Sequence, residues 1–481
     1  MWKLKHVVRG ILALGGLIVA LGPSGAFAQS AGLSKNLSLE EALQQGLQSN
    51  RELKASQSNV EAAKLEVQGS KGKYLPSIGL NAEYVHLNED LSVDLNALRS
   101  AMIMSAGAAA SAGAGGNPTV GQAVQNQLNS ALPSFSMPVQ KQDFAMAHLT
   151  LAQPLYTGGK ITANRTAKEQ LFEEAVHKES DTKAQTAVNV IEHYFTAQMA
   201  GEVVKIRQES LKSFQEHQRI AQALLRQGQL ARAQKMQIDV AVLEAEGDLS
   251  KAQRDEKLAR KVLANTLNQD ETEFVLVTKM KPRSFESLES YTQSARSENS
   301  SLKQIKIKKE LLGAKESVGK SEFLPTIGLV GSYQLYEKDL NELAPEWFAG
   351  VVLKMNLFNG GENKRELDAV RQQKIALGYL ENNAQSMVNI GVEKYFSEVL
   401  SAQEQYEVAT KTKALASESL RLNTAAFKNG FAKSSDVIDS SLTLTGAQLK
   451  ELKALFDYNL NLAQLLKFSG QQEKILEKFK N

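Results

Sequence analysis

Two long stretches without proline constrain this chain more than any other feature of its sequence. No proline occurs between Leu155 and Lys281, and none follows Pro345. An unbroken helix over residues 160–227 would span about 100 Å, because an α-helix rises 1.5 Å per residue. No compact domain could contain such a rod. We therefore expect the helix to project from the rest of the fold and to return as an antiparallel partner.

Glycines mark the points at which each long helix is expected to turn back. Gly228 ends the motif Arg-Gln-Gly, and Gly430 ends the corresponding motif Lys-Asn-Gly. Glycine readily adopts the left-handed conformation that terminates many helices. The sequence thus predicts two long helical hairpins, at 158–270 and 360–470, with their tips at Gly228 and Gly430.

The two returning helices differ in the regularity of their apolar pattern. In the second, predicted at 434–468, a repeat of 3.5 residues is formed by Ile438, Leu442, Thr445, Leu449, Leu452, Phe456, Asn459, Ala463 and Leu466. Such a period predicts a left-handed seam against a neighbouring helix. In the first, predicted at 231–268, a similar seam begins at Met236, Val240 and Leu243. It is then interrupted by Gly247, Ser250 and Arg254.

The chain contains two copies of one unit. The motif Leu-Pro-x-x-Gly-Leu occurs at 75–80 and 324–329, and an aromatic-x-Gly-Gly corner occurs at 156–159 and 358–361. The corners and the tips recur at an offset of 202 residues, whereas the first motif recurs at 249, so the first copy holds about 47 extra residues. The predicted strand-to-helix corners are Gly158, Gly159, Gly360 and Gly361. The predicted divisions are a first repeat at 29–270, a linker at 271–283, a second repeat at 284–470 and a C-terminal tail at 471–481.

Each unit is expected to begin with helices and to continue into a β-hairpin. Ser38 and Glu41 form a capping-box pattern that opens helical sequence reaching Lys71, and its counterpart runs over about 285–320. The hairpins are predicted at 75–156 and 324–358. Their strands alternate apolar and polar residues, at 77–84, 144–155, 327–336 and 347–357.

Aromatic residues near the strand ends favour transmembrane barrel strands, with a half-buried sheet of a soluble protein as the alternative. Four strands cannot close a barrel, and an open sheet edge is not tolerated in lipid. Several chains would therefore have to associate. Two, three or four copies would give barrels of eight, twelve or sixteen strands.

The first β-hairpin carries an insertion at 88–143 that is rich in alanine and glycine over 101–116. In a barrel this segment would lie outside the cell. We expect a mobile, low-complexity extracellular loop, and the alternative is a lid that folds over the pore.

The first residues resemble a secretory signal. Basic residues precede an apolar stretch, which ends at the small-x-small pattern Ala26-Phe27-Ala28, so a cleaved signal peptide is predicted at 1–28. Beyond it, no run of eighteen apolar residues predicts a transmembrane helix. Without Lys3, Lys5 and Arg9, basic and acidic residues are equal in number, which argues against a nucleic-acid partner.

The sequence offers no motif for catalysis or metal binding. It has no cysteine, and its six histidines lack the spacing of zinc sites. No nucleophile elbow or catalytic triad order is present. We predict no enzyme activity, no catalytic residue, no metal site and no cofactor.

These features together resemble the outer membrane efflux protein family, the TolC-type channels, over essentially the whole chain after the signal. The motifs that carry the resemblance are the two Leu-Pro-x-x-Gly-Leu segments, the two aromatic-x-Gly-Gly corners, and the sequence from Gly430 to Asp436-Val437-Ile438-Asp439, followed by Asp457-Tyr458 and Gly470. The resemblance implies an α+β membrane protein. Its fold would be a homotrimer with a twelve-stranded outer-membrane β-barrel, continued by a long antiparallel coiled-coil tunnel across the periplasm.

The resemblance also implies a function and partners. The chain would be a passive exit channel in outer-membrane lipid, serving a tripartite efflux pump or a type I secretion system. It would dock through its hairpin tips, at Gly228 and Gly430, on a periplasmic membrane-fusion adaptor and an inner-membrane RND, ABC or MFS transporter. The alternative function is a periplasmic coiled-coil scaffold or adaptor.

The resemblance places Asp436 and Asp439 in a cation-selective ring at the periplasmic gate. The alternative is that both are solvated residues at a helix start, where negative charge is favourable. This chain departs from the family where other members carry a Tyr and an Arg that latch the gate, since it has Phe427 and Ala432 there. The first unit offers Gln234 and Gln237 where a carboxylate partner is expected.

Overall fold

The computed structural model describes residues 35–270, 272, 274–339 and 345–479. The signal peptide predicted at 1–28 lies outside these residues. Within them, long helices dominate, and a small antiparallel sheet is joined directly to the two longest helices. The fold is mostly helical, with a small sheet, as the resemblance implied.

The helices vary from one or two turns to rods of 67 residues. In chain order they are α1 (Leu39–Ser49), α2 (Arg51–Lys71), α3 (Asn96–Gly113), α4 (Pro118–Ala131), α5 (Lys160–Arg226), α6 (Arg232–Thr266), α7 (Leu288–Glu298), α8 (Ser300–Ser321), α9 (Glu362–Lys428), α10 (Ser434–Phe468) and α11 (Gln472–Phe479).

The strands form three sheets. In chain order they are β1 (Lys35–Leu37), β2 (Ser77–His86), β3 (Leu91–Asp94), β4 (Ser136–Gln140), β5 (Asp143–Tyr156), β6 (Phe274–Leu276), β7 (Thr326–Lys338) and β8 (Trp347–Lys354). The main sheet has the order β2-β5-β7-β8 and is antiparallel throughout. β1 pairs in parallel with β6, and β3 pairs antiparallel with β4.

Glycines with positive φ make the corners from which the long helices start. α5 begins after Gly159, at φ 86°, and α9 begins after Gly361, at φ 82°. This left-handed conformation is costly for residues with a Cβ atom. α5 and α9 are equal in length, and so are α6 and α10, at 35 residues.

The long helices pack in a row, and the strands of the main sheet form a second row. α6 packs on α5, α5 on α10, and α10 on α9, so that α6 and α9 lie at the two flanks. In the sheet, β2 and β8 are the two edge strands. Both layers therefore have an open side at each end.

One large core ties the two halves of the chain together around the middle of α5. The Tyr194 hydroxyl donates to the Leu37 carbonyl at 2.9 Å and accepts from the Thr278 amide at 3.0 Å. The segment predicted as a linker thus supplies β6 and Thr278 to this core. The residues predicted as a tail form α11, whose Ile475 and Phe479 are fully buried. Neither role was visible in the sequence, because each depends on residues far away in the chain.

The insertion at 88–143 is not the predicted low-complexity loop. It folds into the strand pair β3–β4 and the helices α3 and α4. Alanine has the highest helix propensity, and Gly107 and Gly121 lack the side chains that would collide between the two helices. The Arg99 guanidinium also donates to the carbonyls of Asn129 and Leu132, each at 2.8 Å, and so satisfies the end of α4.

The seam predicted in the first returning helix faces away from the chain's own helices. Met236, Val240 and Leu243 are more than half exposed, whereas the intervening Ile238 and Val242 are buried. The predicted seam is therefore not packed against the chain's own helices, and its packing against a neighbouring helix stays a prediction.

The seam predicted in α10 is divided between two environments. Thr445, Asn459 and Leu466 of the predicted seam are buried, whereas Leu442 is 52% exposed. Small residues outside that repeat, Ser440 and Ala454 among them, complete the buried face. α10 packs on both α9 and α5, so its buried surface is wider than a single heptad seam.

The corner glycines provide a matched test of the fold. Gly158 and Gly360 both have positive φ, at 61° and 71°. A Cβ atom on Gly158 would lie 2.9 Å from the Leu324 Cβ and 3.1 Å from the Ser321 carbonyl, whereas one on Gly360 would meet nothing within 4 Å. Each Gly→Ala change costs about 1 kcal/mol of left-handed strain. We expect Gly158→Ala to lower the melting temperature clearly more than Gly360→Ala, measured by circular dichroism in detergent. Equal shifts would contradict the close corner packing.

Candidate functional site

The two hairpin tips are held together by a small apolar core, which we call the tip cluster. It comprises Phe214, Ile220 and Ala221 of α5, Ile238, Ala241, Val242 and Ala245 of α6, Phe427 of α9 and Val437 of α10. Because both hairpins contribute, this cluster fixes the position of the first turns of α10 relative to α5. The candidate gate residues lie in those turns.

Asp436 is the third residue of α10 and caps the start of that helix. Its Oδ2 accepts from the Lys433 amide at 2.9 Å, and its carbonyl accepts from the Ser440 hydroxyl at 2.7 Å. The first amides of a helix have no partner within the helix, so the carboxylate satisfies one of them. The side chain is half-buried. Asp436 therefore has a structural role within its own chain.

Asp439 is exposed and has no comparable role. It follows Asp436 by three residues, so both carboxylates project from similar sides of α10. Among the described residues, neither carboxylate lies within ion-pair distance of a basic group. The start of α10 thus carries two carboxylates that have no ion-pair partner in the described ranges.

The first hairpin carries a carboxylate near its tip that the sequence analysis missed. The Asp239 carboxylate accepts from Lys235 at 2.6 Å and from Gln218 at 2.8 Å. These two partners, Lys235 foremost, lower the pKa of Asp239. The expected partner positions are less engaged, since Gln234 is half-buried and Gln237 is exposed. A charge on this hairpin is therefore locally balanced, in contrast to Asp436 and Asp439.

The positions where the family carries a Tyr and an Arg hold apolar residues that pack inward. Phe427 is 2% exposed and its ring contacts the ring of His217 at 4.5 Å between centroids. Ala432 is half-buried against the tip cluster. Phe427 therefore contributes packing at this position, where a hydroxyl would have offered a hydrogen bond.

His217 is a residue of the site that sequence reasoning did not single out. It is 3% exposed, and its Nε2 lies 3.2 Å from the Ser434 hydroxyl at the start of α10. Burial lowers the pKa of His217, while hydrogen bonding to Ser434 opposes that shift. Its Nδ1 has no hydrogen-bond partner among the described residues. The only signal in the sequence is a histidine on the apolar face of a helix, which by itself predicts ordinary packing.

The tip glycines make the hairpin turns. Gly228 and Gly430 have φ of 70° and 77°, and a Cβ atom on either would meet nothing within 4 Å. The corner glycines Gly158, Gly159, Gly360 and Gly361 all have positive φ and lie between the strands and the long helices. The structure places tips and corners at opposite ends of α5 and α9.

Two further kinds of feature are absent from the described ranges. No group of three or more His, Asp or Glu side chains there could hold a metal ion. None of the helices in that part of the chain combines the length and apolarity needed to cross a bilayer.

Comparison with known proteins gave one family match and several similar structures. A family model described as outer membrane efflux protein matches residues 42–269 and 291–471. A search of curated proteins found no match.

Three solved structures illustrate the likeness of the fold. A membrane protein from Pseudomonas aeruginosa is 13% identical with a TM-score of 0.72, covering 91% of each chain. The CmeC outer membrane channel of Campylobacter jejuni is 14% identical with a TM-score of 0.69, covering 92% of this chain and 89% of the other. The MtrE outer membrane channel of Neisseria gonorrhoeae, solved in its open state, is 17% identical with a TM-score of 0.66, covering 90% and 88%.

The different roles of the two aspartates generate a stability prediction. Asp436→Ala removes a helix cap, and such a loss costs about 1 kcal/mol. Asp439→Ala removes only an exposed charge, so it should lower the free energy of unfolding by only a few tenths of that amount. We expect a lower melting temperature for Asp436→Ala alone, measured by circular dichroism of the purified protein. A loss of the same size in Asp439→Ala would show that this carboxylate also has a structural partner.

Proposed function

The chain belongs to the outer membrane efflux protein family, and from this premise we propose that it is the exit channel of a tripartite efflux pump or a type I secretion system. It is an outer-membrane efflux channel protein, and proteins of this family and fold are not enzymes. The proposed unit is a homotrimer that conducts passively from the periplasm to the cell exterior. The observation that carries the proposal is a four-stranded sheet with two unpaired edges and exposed apolar faces.

The unpaired edges support association of three chains. β2 and β8 each have one strand neighbour in the chain, and the strands alternate in direction across the sheet. β8 of one chain can therefore continue antiparallel onto β2 of the next. Three copies give twelve strands, which leave room for a lumen, whereas eight strands would be filled by side chains.

The exposed faces of these strands support contact with lipid. Ile78, Leu80 and Tyr84 of β2 are at least 65% exposed, and so are Trp347 and Val351 of β8 at 66%. A soluble protein rarely leaves so large an apolar patch uncovered. Apolar residues on alternate positions of adjacent strands are typical of outer-membrane barrels. A periplasmic scaffold would have no use for such a face.

The flanks of the helical layer support the same assembly. α9 leaves an apolar stripe uncovered at intervals of seven residues or multiples of seven: Leu380, Met387, Val408, Leu415 and Leu422. α6, at the opposite flank, leaves Met236, Val240, Leu243 and Leu258 uncovered. In a closed ring, the α9 stripe of one chain would meet α6 of the next, antiparallel to it. A spacing of seven is the period of a left-handed helical seam.

We further propose that the hairpin tips form the periplasmic end of the conduit. Asp436 and Asp439 would then contribute six carboxylates around a narrow mouth. Such a ring favours cations and opposes its own closure, because like charges repel at short distance. The open turns at Gly228 and Gly430 would dock on a periplasmic adaptor, which in turn engages an inner-membrane transporter of the RND, ABC or MFS class.

The first test of this proposal concerns the α9 stripe. Leu415→Lys places a charge in the proposed seam between chains, whereas Ser417→Lys places it about 200° around the same helix. Both side chains are exposed in the single chain. We expect Leu415→Lys to lower the fraction of SDS-resistant trimer several-fold and Ser417→Lys to leave it near the wild-type level. Trimers of undiminished stability in Leu415→Lys would remove the seam. Protein that washes off the membrane with salt would indicate a scaffold instead.

The second test concerns the carboxylate ring. Asp436→Ala combined with Asp439→Ala should raise single-channel conductance in planar bilayers, because the shorter side chains widen the open mouth, and should lower the preference for cations, because the carboxylates that attract them are lost. Lys235→Ala combined with Asp239→Ala is the matched control, since it removes one charge of each sign near the other tip. Unchanged conductance and selectivity in the Asp436 and Asp439 variant would rule out the gate assignment.

A further inference from the structure

In the part of the chain that the structure describes, side-chain contacts hold the first hairpin against the second at the tips. Within each hairpin, a short turn of covalent chain joins the helices, at 227–231 and 429–433. Between the hairpins, α5 and α10 meet through the tip cluster and through two buried polar contacts. Any movement that widens a mouth formed by the tips would separate the hairpins along this α5–α10 seam.

The two polar contacts are unlike in chemistry. Ser210 of α5 and Thr445 of α10 meet at 3.2 Å between hydroxyl oxygens, and both are less than 10% exposed. Closer to the tip, the His217 Nε2 meets the Ser434 hydroxyl at 3.2 Å, with Ser434 fully buried. Two hydroxyls do not change charge with pH, whereas an imidazole does. The contact nearest the gate is thus the one that can titrate.

The surroundings of His217 favour its neutral form. Its ring lies edge-on against the Phe427 ring, and its Nδ1 has no partner among the described residues. A second proton would leave a buried N–H without an acceptor and a positive charge without a counter-ion.

Within the described residues, no charged group offsets that penalty. The nearest charged residues along the chain on each packed helix are Glu216, Arg219, Lys235, Asp239, Lys428, Lys433 and Asp436. Glu216 is bound to Arg219, Asp239 to Lys235, and Asp436 to the Lys433 amide. In the described part of the chain, no carboxylate makes a hydrogen bond or ion pair with the His217 ring.

We propose that His217 is a positioning residue of the gate: its neutral ring holds the second hairpin's tip, with Asp436 and Asp439, against the first hairpin, and its protonation releases that tip. This inference rests on the proposed channel function and adds a mode of regulation to it. The released tip exposes the imidazole to water, where both nitrogens can be satisfied as donors.

The direction of the pH response follows from linkage. Burial lowers the pKa of His217 in the closed tip below its ordinary value of 6.5, which the exposed ring of an open tip regains. The open form therefore binds protons more readily, and acid shifts the equilibrium toward it. For each chain, the ratio of open to closed tip rises at most tenfold per pH unit. This rise starts below about pH 6.5 and ends at the lowered pKa of the closed form.

The experiment is a pH titration of the full-length channel in planar bilayers between pH 7.5 and 5.5. For the wild type we expect the open probability to rise by up to about tenfold per pH unit below pH 6.5 for each chain that responds independently. His217→Gln can still hydrogen-bond Ser434 but cannot take up a proton, so its open probability should stay low and flat. His193→Gln is the matched control. His193 is another histidine of α5 whose pKa is lowered by burial, although it is only half-buried, and it contacts Thr266 far from the tips. The His193→Gln variant should show the same rise in open probability below pH 6.5 as the wild type, which we call the pH step.

Two further variants separate titration of His217 from other causes. The chain has no cysteine, so Ser210→Cys with Thr445→Cys introduces one defined pair at the α5–α10 seam. Its oxidised form should abolish the pH step and reduction should restore it. Asp436→Asn with Asp439→Asn should keep the pH step, because protonation of His217, and not of these carboxylates, releases the tip. SDS-resistant trimers and helical circular dichroism establish that each variant folds.

The outcomes are distinguishable from a failure of the channel function itself. If the wild-type pH step persists unchanged in His217→Gln, the proposed role of His217 is wrong, whereas the proposed channel function stands. The same holds for a conducting wild type with no pH step in this range. If the wild type never conducts, both the proposed channel function and the proposed role of His217 are wrong.

Discussion

The described part of a single chain leaves two kinds of surface uncovered, and the rest of the structure is arranged around them. β2 and β8 each leave one edge of backbone hydrogen-bonding groups unpaired, and α6 and α9 each leave an apolar flank exposed. Unpaired backbone groups are costly once they are removed from water, and uncovered apolar area is costly in water. β8 leads directly into α9, so an open edge of the sheet and an open flank of the helical layer are joined in the chain. One association of chains can therefore satisfy both.

Two hydrophobic cores hold the long helices together. The larger core surrounds the middle of α5, where β1, β6, α7 and α11 pack against it. The tip cluster lies near the far end and is small by comparison. The Arg283 guanidinium stacks over the Phe479 ring at 4.5 Å, which fixes α11 in the larger core. The rods are thus anchored firmly at the middle, and the tips are joined by fewer contacts, where a moving part would be expected.

The candidate gate combines residues with local and non-local roles. Asp436 satisfies the start of its own helix, so a capping function alone accounts for an aspartate at that position. Asp439 has no such partner, and its exposed charge is what a ring of carboxylates would require. His217, Phe427 and Ser434 lie on three different helices and set where these charges stand. The charge at the start of α10 and the packing behind it are separate properties of this region, and they can be changed separately.

The sequence by itself determined the local geometry of this protein. Absence of proline, glycines at the corners and tips, and alternating strands predicted α5, α6, α9, α10 and the four main strands to within a few residues, because these signals act between neighbours in the chain. Only the tertiary structure decided which apolar face is covered and by what. It turned the Met236 and Leu243 face outward, folded the alanine-rich insertion into helices, and drew β6 and α11 into the core. It also brought His217 to Ser434 across 217 residues of sequence. Contacts of that kind depend on how separate elements pack, and no local pattern in the chain encodes them.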